Sequence, residues 1–220
     1  MTDELAERGF ALEPLLDPDA CAEIVGTWDR PVFRKAVVMA RHAFGRGEYR
    51  YYADPLPSLV AGLRRDWYPR LVPIARAWSD ALGLGAELPD TLAAFEERGR
   101  EAGQALPTPL LLRYGPGDYN CLHQDLYGPV WFPLQVVVLL DRPGVDYDGG
   151  ELVLVEQRPR AQSRVIVVPA RQGDAVVLPT HVRPRVGARG VHRVTVRHGV
   201  SEIRRGRRHA LGLIFHGAAT

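Results

Sequence analysis

The sequence holds only two cysteines in 220 residues, Cys21 and Cys121, and no CxxC pair. A zinc site built on thiolates therefore has no basis, and a disulfide between two such distant positions has no support. Both thiols are expected to be small buried hydrophobes in a reducing compartment. Lysine is scarcer still: Lys35 is the only one, so arginine carries the positive charge. No apolar run approaches the ~20 residues of a membrane-spanning helix. The opening Met-Thr-Asp-Glu-Leu-Ala-Glu-Arg lacks the basic-then-apolar layout of a signal peptide. The expectation is a cytoplasmic protein with no membrane partner. Internal repeats and low-complexity segments are also lacking.

The chain is long enough for one well-buried core with appended helices and too short for two full-sized domains. Its net charge is only +2, but the distribution is lopsided. Between Arg158 and Arg208 there are 13 arginines against two acids, Asp174 and Glu202. One face could thus meet a polyanion or an acidic substrate. An arginine-rich composition, with one lysine in the whole chain, explains the same count without any partner.

The first 105 residues read as mainly helical. Asp17 is a candidate N-cap with Pro18 at the first helical position, opening a helix to about Asp29. Leu59, Leu63, Trp67, Leu71, Ile74, Ala75 and Trp78 form an apolar stripe at helical spacing, interrupted by Pro69 and Pro73. Pro89 to Gly103 reads as another helix. From Leu110 the pattern changes to short Val-, Leu- and Ile-rich runs: Leu110–Tyr114, Pro133–Leu140, Glu151–Glu156, Val165–Pro169, Ala175–Leu178, His192–Ile203 and Ala210–Phe215. Glycine, proline and aspartate punctuate them. Strands at this spacing predict a mainly β, α+β chain with an all-β sandwich or jelly roll. The expected layout is a helical cap and possible substrate lid over residues 1–105, leaning on a β core over residues 106–220 as a single structural unit.

Two imidazoles and one carboxylate on one side of a metal, with open positions opposite, are the ligand set of mononuclear iron oxygenases. His123-Gln124-Asp125 supplies two of them if it lies on a strand, where residues i and i+2 project to the same face. The pair alone is a weak signal; its setting is more specific. The stretch Arg113-Tyr114-Gly115-Pro116-Gly117, running on to Leu122-His123-Gln124-Asp125, resembles the entry to the metal site of AlkB-type oxygenases. About 70 residues later, His198-Gly199-Val200 turns through Gly206 to Arg208. This resembles the distal-histidine segment of the Fe(II)- and 2-oxoglutarate-dependent oxygenase superfamily. The resemblance covers about Leu110 to His216. It implies a double-stranded β-helix core, Fe(II) held by His123, Asp125 and His198, and 2-oxoglutarate held by Tyr114 and Arg208, with O2 as the other cosubstrate. A planar guanidinium suits a carboxylate better than an ammonium does. Tyr114 read from the residues alone is equally a core tyrosine with a satisfied hydroxyl. His181 is the rival distal ligand, with Arg189 or Arg197 then serving the carboxylate. His192, His209 and His216 read as structural or exposed, and Arg205 and Arg207 as solvated. Asp148-Gly149-Gly150-Glu151-Leu152 resembles a turn of prolyl-hydroxylase-like members that opens a strand and does no chemistry.

The resemblance implies a dioxygenase that couples decarboxylation of 2-oxoglutarate to oxidation of a substrate C–H bond. Oxidative demethylation of alkylated nucleic acid is the first reading of its substrate. It also fits the basic and aromatic segment Arg41–Tyr52, where Arg46, Tyr49, Tyr51 and Tyr52 are candidate substrate contacts stacking an extruded base. The same tyrosines could simply pack a strand on the core. The closing box departs from the AlkB pattern, since Ala210, Gly212 and Ile214 replace its Asn, Thr and second Arg. Hydroxylation of a protein side chain or free amino acid is the alternative. A non-catalytic jelly-roll binding module is a third, of a different class.

Overall fold

The protein is described here by a computed structural model, covering residues 1–158, 160–188 and 190–219. Two antiparallel sheets face one another. The larger is built from β1 (Ala11–Pro14), β2 (Phe33–Val38), β4 (Glu48–Tyr52), β5 (Leu110–Tyr114), β7 (Leu134–Leu139), β11 (Asp174–Pro179) and β15 (Arg208–Leu213), in the order β1-β11-β7-β15-β5-β4-β2. The smaller is built from β3 (Gly45–Arg46), β6 (Tyr119–His123), β9 (Leu152–Gln157), β10 (Arg164–Val168) and β13 (Gly190–Val200), in the order β10-β9-β13-β6-β3, with β12 (Val182–Gly187) also pairing with β13. A two-stranded ribbon joins β8 (Tyr147–Gly149) to β14 (Ile203–Gly206). This is the jelly roll that the short, evenly spaced strands predict.

The first half is not only a helical cap. β1, β2 and β4 hydrogen-bond into the larger sheet, and β3 into the smaller one. The Arg41–Tyr52 segment is therefore largely woven into the sheets rather than laid over them. The helices are α1 (Thr2–Arg8), α2 (Pro18–Val25), α3 (Ser58–Leu82) and α4 (Leu92–Glu101). Asp17 does cap α2, accepting the Ala20 N–H at 2.8 Å. Pro69 and Pro73 do not break α3. Both lie on its exposed side, four residues apart, where water can serve the carbonyls their missing N–H groups leave free.

Pleat alternation sorts the larger sheet into two faces. Leu111, Val136, Val138, Val177, Leu211 and Leu213 turn outward and pack with Trp67, Tyr68, Leu71 and Ala75 of α3 in one apolar cluster. The intervening residues turn inward, and Arg208, Ala210, Gly212 and Ile214 line one cavity between the sheets. On the smaller sheet, β12 and β9 carry a buried ion pair. Arg183 Nε donates to Glu156 Oε1 at 2.6 Å, and Arg183 Nη1 reaches the Ala6 carbonyl of α1 at 2.9 Å. The two side chains are 0% and 1% exposed.

Candidate metal centre

Two cross-strand pairs frame the interior. On the smaller sheet His198 of β13 stands directly opposite His123 of β6. On the larger sheet Arg208 of β15 stands directly opposite Tyr114 of β5. The β13–β6 register slips between His198 and Val200, so β6 bulges beside His123. Gly199 permits the close approach there: a Cβ on it would lie 2.7 Å from the Asn120 carbonyl oxygen. Bulges re-aim side chains, and this one sits where the two imidazoles meet, with ring centroids 4.3 Å apart.

Asp125 completes the cluster, but not by strand alternation. β6 ends at His123, and Asp125 lies in the loop beyond it. Two contacts fix that loop. His216 Nδ1 accepts the Phe132 N–H at 3.3 Å, which leaves His216 Nε2–H to donate to the Asp125 carbonyl at 2.9 Å. Burial lowers His216 to about 4, so this ring is neutral at ordinary pH and keeps that arrangement. The Tyr127 hydroxyl donates to Asp125 Oδ1 at 2.8 Å.

Donor atoms of His123, Asp125 and His198 all lie within 4.8 Å of one another, the one such group among the described residues. Asp125 Oδ2 is 3.2 Å from His198 Nε2, and Asp125 Oδ1 is 3.6 Å from His123 Nε2. His123 Nδ1 lies 2.8 Å from the Cys121 carbonyl, so the proton sits there and Nε2 presents a lone pair. Burial, then the neighbouring His198, lowers the His123 pKa. Burial alone would raise Asp125; hydrogen bonding to His198, the charges of both imidazoles and the Tyr127 hydroxyl outweigh it and hold the carboxyl well below its usual range. A carboxylate beside two imidazoles suits a divalent transition metal. His181 stands outside the cluster; its carbonyl accepts from Gln124 and its ring packs edge-on against Trp131.

The same interior cavity, about 50 Å³, is lined by His123, Asp125, His198, Tyr114 and Arg208. Arg208 is 2% exposed, and its Nε and Nη1 have no hydrogen-bond partner. Among the described residues no carboxylate pairs with it. A buried guanidinium left in this state calls for an anion, because an uncompensated internal charge is costly. Its carbon lies 5.6 Å from the Tyr114 ring centroid, and the Tyr114 hydroxyl, pushed by burial to about 12, accepts from Asn120 at 3.3 Å. Arg205 pairs with Asp148 and Arg207 is exposed, while Arg197 is exposed and Arg189 lies outside the described residues.

A second pocket, about 250 Å³, opens from the cluster toward solvent. His123 and Asp125 form its floor, and Phe44, Tyr49, Tyr51 and Tyr127 its aromatic walls. Two of the four candidate substrate contacts line it and two do not. Tyr49 and Tyr51 share one face of β4, so pleat alternation sends Tyr52 the other way. There Tyr52 is 0% exposed, bonded to Thr27 Oγ1 at 2.9 Å and stacked on Phe33. Arg46 is exposed on β3, outside the lining. Cys121 is exposed and lines this pocket, whereas the Cys21 thiol is buried as expected. Phe44 falls within the basic and aromatic segment Arg41–Tyr52, whereas no motif marks Tyr127 or His216, although Tyr127 lies only two positions beyond Asp125.

Residues 47–218 match the Oxygenase-NA family, described as an oxygenase catalysing oxidative methylation of damaged DNA. The chain belongs to that family. This oxygenase is also 50% identical over 165 residues to an uncharacterized protein of Mycobacterium tuberculosis strain H37Rv, Rv2227, spanning 75% of this chain and 71% of the relative. Its fold matches that of a Pseudomonas putida prolyl-4-hydroxylase, with a TM-score of 0.55 and 18% identity over 98% of this chain and 96% of the other. It likewise matches a 2OG-Fe(II) oxygenase family oxidoreductase from Burkholderia pseudomallei, with a TM-score of 0.56 and 19% identity over 100% of this chain and 91% of that one. The His–Asp–His cluster is the donor set that Fe(II) would take, and the unsatisfied Arg208 beside it suits a cosubstrate carboxylate such as that of 2-oxoglutarate. No helix of this oxygenase is long and apolar enough to cross a membrane.

Proposed function

We propose that this oxygenase removes methyl groups oxidatively from alkylated bases of DNA or RNA, with Fe(II) held by His123, Asp125 and His198. An oxygenase oxidises a methyl C–H bond, so the chemistry runs toward loss of the methyl group. The observation that carries the cofactor assignment is the shared cavity: a His–Asp–His cluster at one end and, at the other, a buried Arg208 with no carboxylate partner and two unsatisfied nitrogens. Bound there, iron with 2-oxoglutarate and O2 would supply the oxidant. This chain's residues bind and orient around it. Arg208 takes the far carboxylate of the cosubstrate as a charge-assisted pair, with Tyr114 beside it. Ala210 and Gly212, small and on the inward face of β15, leave room for the cosubstrate chain.

The substrate reading rests on the family description and on the open pocket. Its walls of Phe44, Tyr49, Tyr51 and Tyr127 suit a flat aromatic ring, which an extruded base offers. Exposed arginines, among them Arg46, Arg197 and Arg207, supply charge for a phosphate backbone. The whole-chain fold match to prolyl hydroxylases keeps protein side-chain hydroxylation as the second reading.

The test is an anaerobic mixture of protein, Fe(II), 2-oxoglutarate and an oligonucleotide carrying 1-methyladenine or 3-methylcytosine, started with O2 and followed by mass spectrometry. Loss of the methyl group with matching succinate supports the proposal. Succinate without demethylation moves the search to proteins and amino acids, and no succinate overturns the cofactor assignment. Arg208→Ala should raise the 2-oxoglutarate requirement by one to two orders of magnitude, roughly the value of a charge-assisted pair. Titrating 2-oxoglutarate against initial rate checks this, and an unchanged requirement would move the role elsewhere.

A further inference from the structure

Asp125 has two carboxylate oxygens, and the structure treats them differently. Oδ1 accepts the Tyr127 hydroxyl at 2.8 Å. Among the described residues Oδ2 has no hydroxyl donor, and it faces His198 Nε2 at 3.2 Å, closer than Oδ1 lies to His123 Nε2, at 3.6 Å. Tyr127 is held in turn: the Tyr51 hydroxyl donates to the Tyr127 oxygen at 3.3 Å, so the Tyr127 proton is committed to Asp125. The Arg34 guanidinium lies over the Tyr51 ring, 4.7 Å from its centroid. A directed chain thus runs from Tyr51 through Tyr127 to one oxygen of the carboxylate.

We infer that Tyr127 is a positioning residue that makes Asp125 a one-oxygen metal ligand, binding through Oδ2 while Oδ1 is kept turned to the tyrosine. This rests on the metal-centre reading above and adds to it a specific role for a side chain that no motif marks. A carboxylate free to rotate can offer both oxygens and occupy a position needed by a cosubstrate. One oxygen satisfied by a neighbour's O–H cannot do so without losing that bond. Tyr127 also walls the open pocket, so the residue that a substrate would touch is the residue that orients the ligand.

The experiment titrates the full chain with Co(II), anaerobically and without 2-oxoglutarate, following visible absorption, which reports coordination number and ligand geometry. Tyr127→Phe removes one hydroxyl and little volume. It is expected to weaken Co(II) binding by roughly 10- to 100-fold and to change the band shape. Tyr51→Phe, one step further along the chain, should give a smaller change of the same kind. Tyr52→Phe, which also loses a buried hydroxyl but lies in the core away from the pocket, should match the unsubstituted protein in both respects. Asp125→Ala separates the two levels of the argument. If it abolishes the cobalt spectrum while Tyr127→Phe leaves affinity and band shape unaltered, the positioning role is wrong and the metal centre stands. If Asp125→Ala changes nothing, or the unsubstituted protein binds no Co(II), the metal centre falls and the role of Tyr127 with it.

Discussion

His198→Ala is expected to abolish metal binding and 2-oxoglutarate-dependent succinate formation, and His181→Ala is expected to leave both near the unsubstituted level. The two histidines are rivals in the sequence, each close to a strand and each followed by arginines. Geometry separates them. His198 is the cross-strand partner of His123, 3.2 Å from Asp125 Oδ2, whereas His181 turns toward Trp131. Asp125→Ala should be as severe as His198→Ala, since it removes the only carboxylate of the cluster. A metal titration read alongside succinate release checks all three variants. Loss of metal only in His181→Ala would overturn the assignment.

The second large effect concerns stability. Arg183→Met is expected to lower unfolding free energy by about 3 kcal/mol, because it leaves the buried Glu156 carboxylate with only the more distant Arg185 guanidinium, 3.5 Å away. Arg183 is 0% exposed and Glu156 1%, and the guanidinium also serves the Leu5 and Ala6 carbonyls near the end of α1. Arg183→Met combined with Glu156→Leu should recover much of the loss, since the buried carboxylate goes with its main partner and the partly exposed Arg185 can turn to water. What remains would be the cost of the helix carbonyls, on the order of 1–2 kcal/mol. Urea unfolding midpoints for the single and double variants measure the difference. Equal midpoints for the Arg183→Met variant and the unsubstituted protein would mean that Arg185 or water compensates Glu156 in full.

The parts of the fold that the sequence displays are those fixed by local patterning. Leu110–Tyr114 is a strand as read, and β7, β9, β11 and β15 lie within two residues of the runs of Val and Leu that mark them. What it hides depends on partners elsewhere. β12, six residues with Pro184 among them and no run of apolar side chains, is a strand because β13 folds back on it. The run His192–Ile203 reads as one strand; it splits at Ser201-Glu202 because β14 leaves the sheet to pair with β8. At the site, the motifs gave His123, Asp125, His198, Tyr114 and Arg208, which one cavity brings together. The reason offered for Asp125 was incomplete, since a loop anchored by His216 and Tyr127 places it rather than the pleat. Tyr52 could have been excluded from the substrate contacts by counting: if Tyr49 and Tyr51 face a pocket, Tyr52 faces away. Tyr127 carries no pattern that composition or spacing would reveal.

The pairing of His198 with His123, and of Arg208 with Tyr114, has a consequence for how the enzyme comes into being. Each pair joins strands far apart in sequence and lies within one sheet. The cavity that the two pairs share thus exists only once both sheets have formed and face each other, and contacts of that range form late and slowly. A nascent or partly folded chain therefore lacks the arrangement that could hold iron beside an oxidisable cosubstrate. A metal held by that cluster would bind the folded architecture, and by mass action it would deepen the native well only after the two sheets are in place. Oxidising chemistry at such a centre would thus be withheld from the chain until its two sheets have come together.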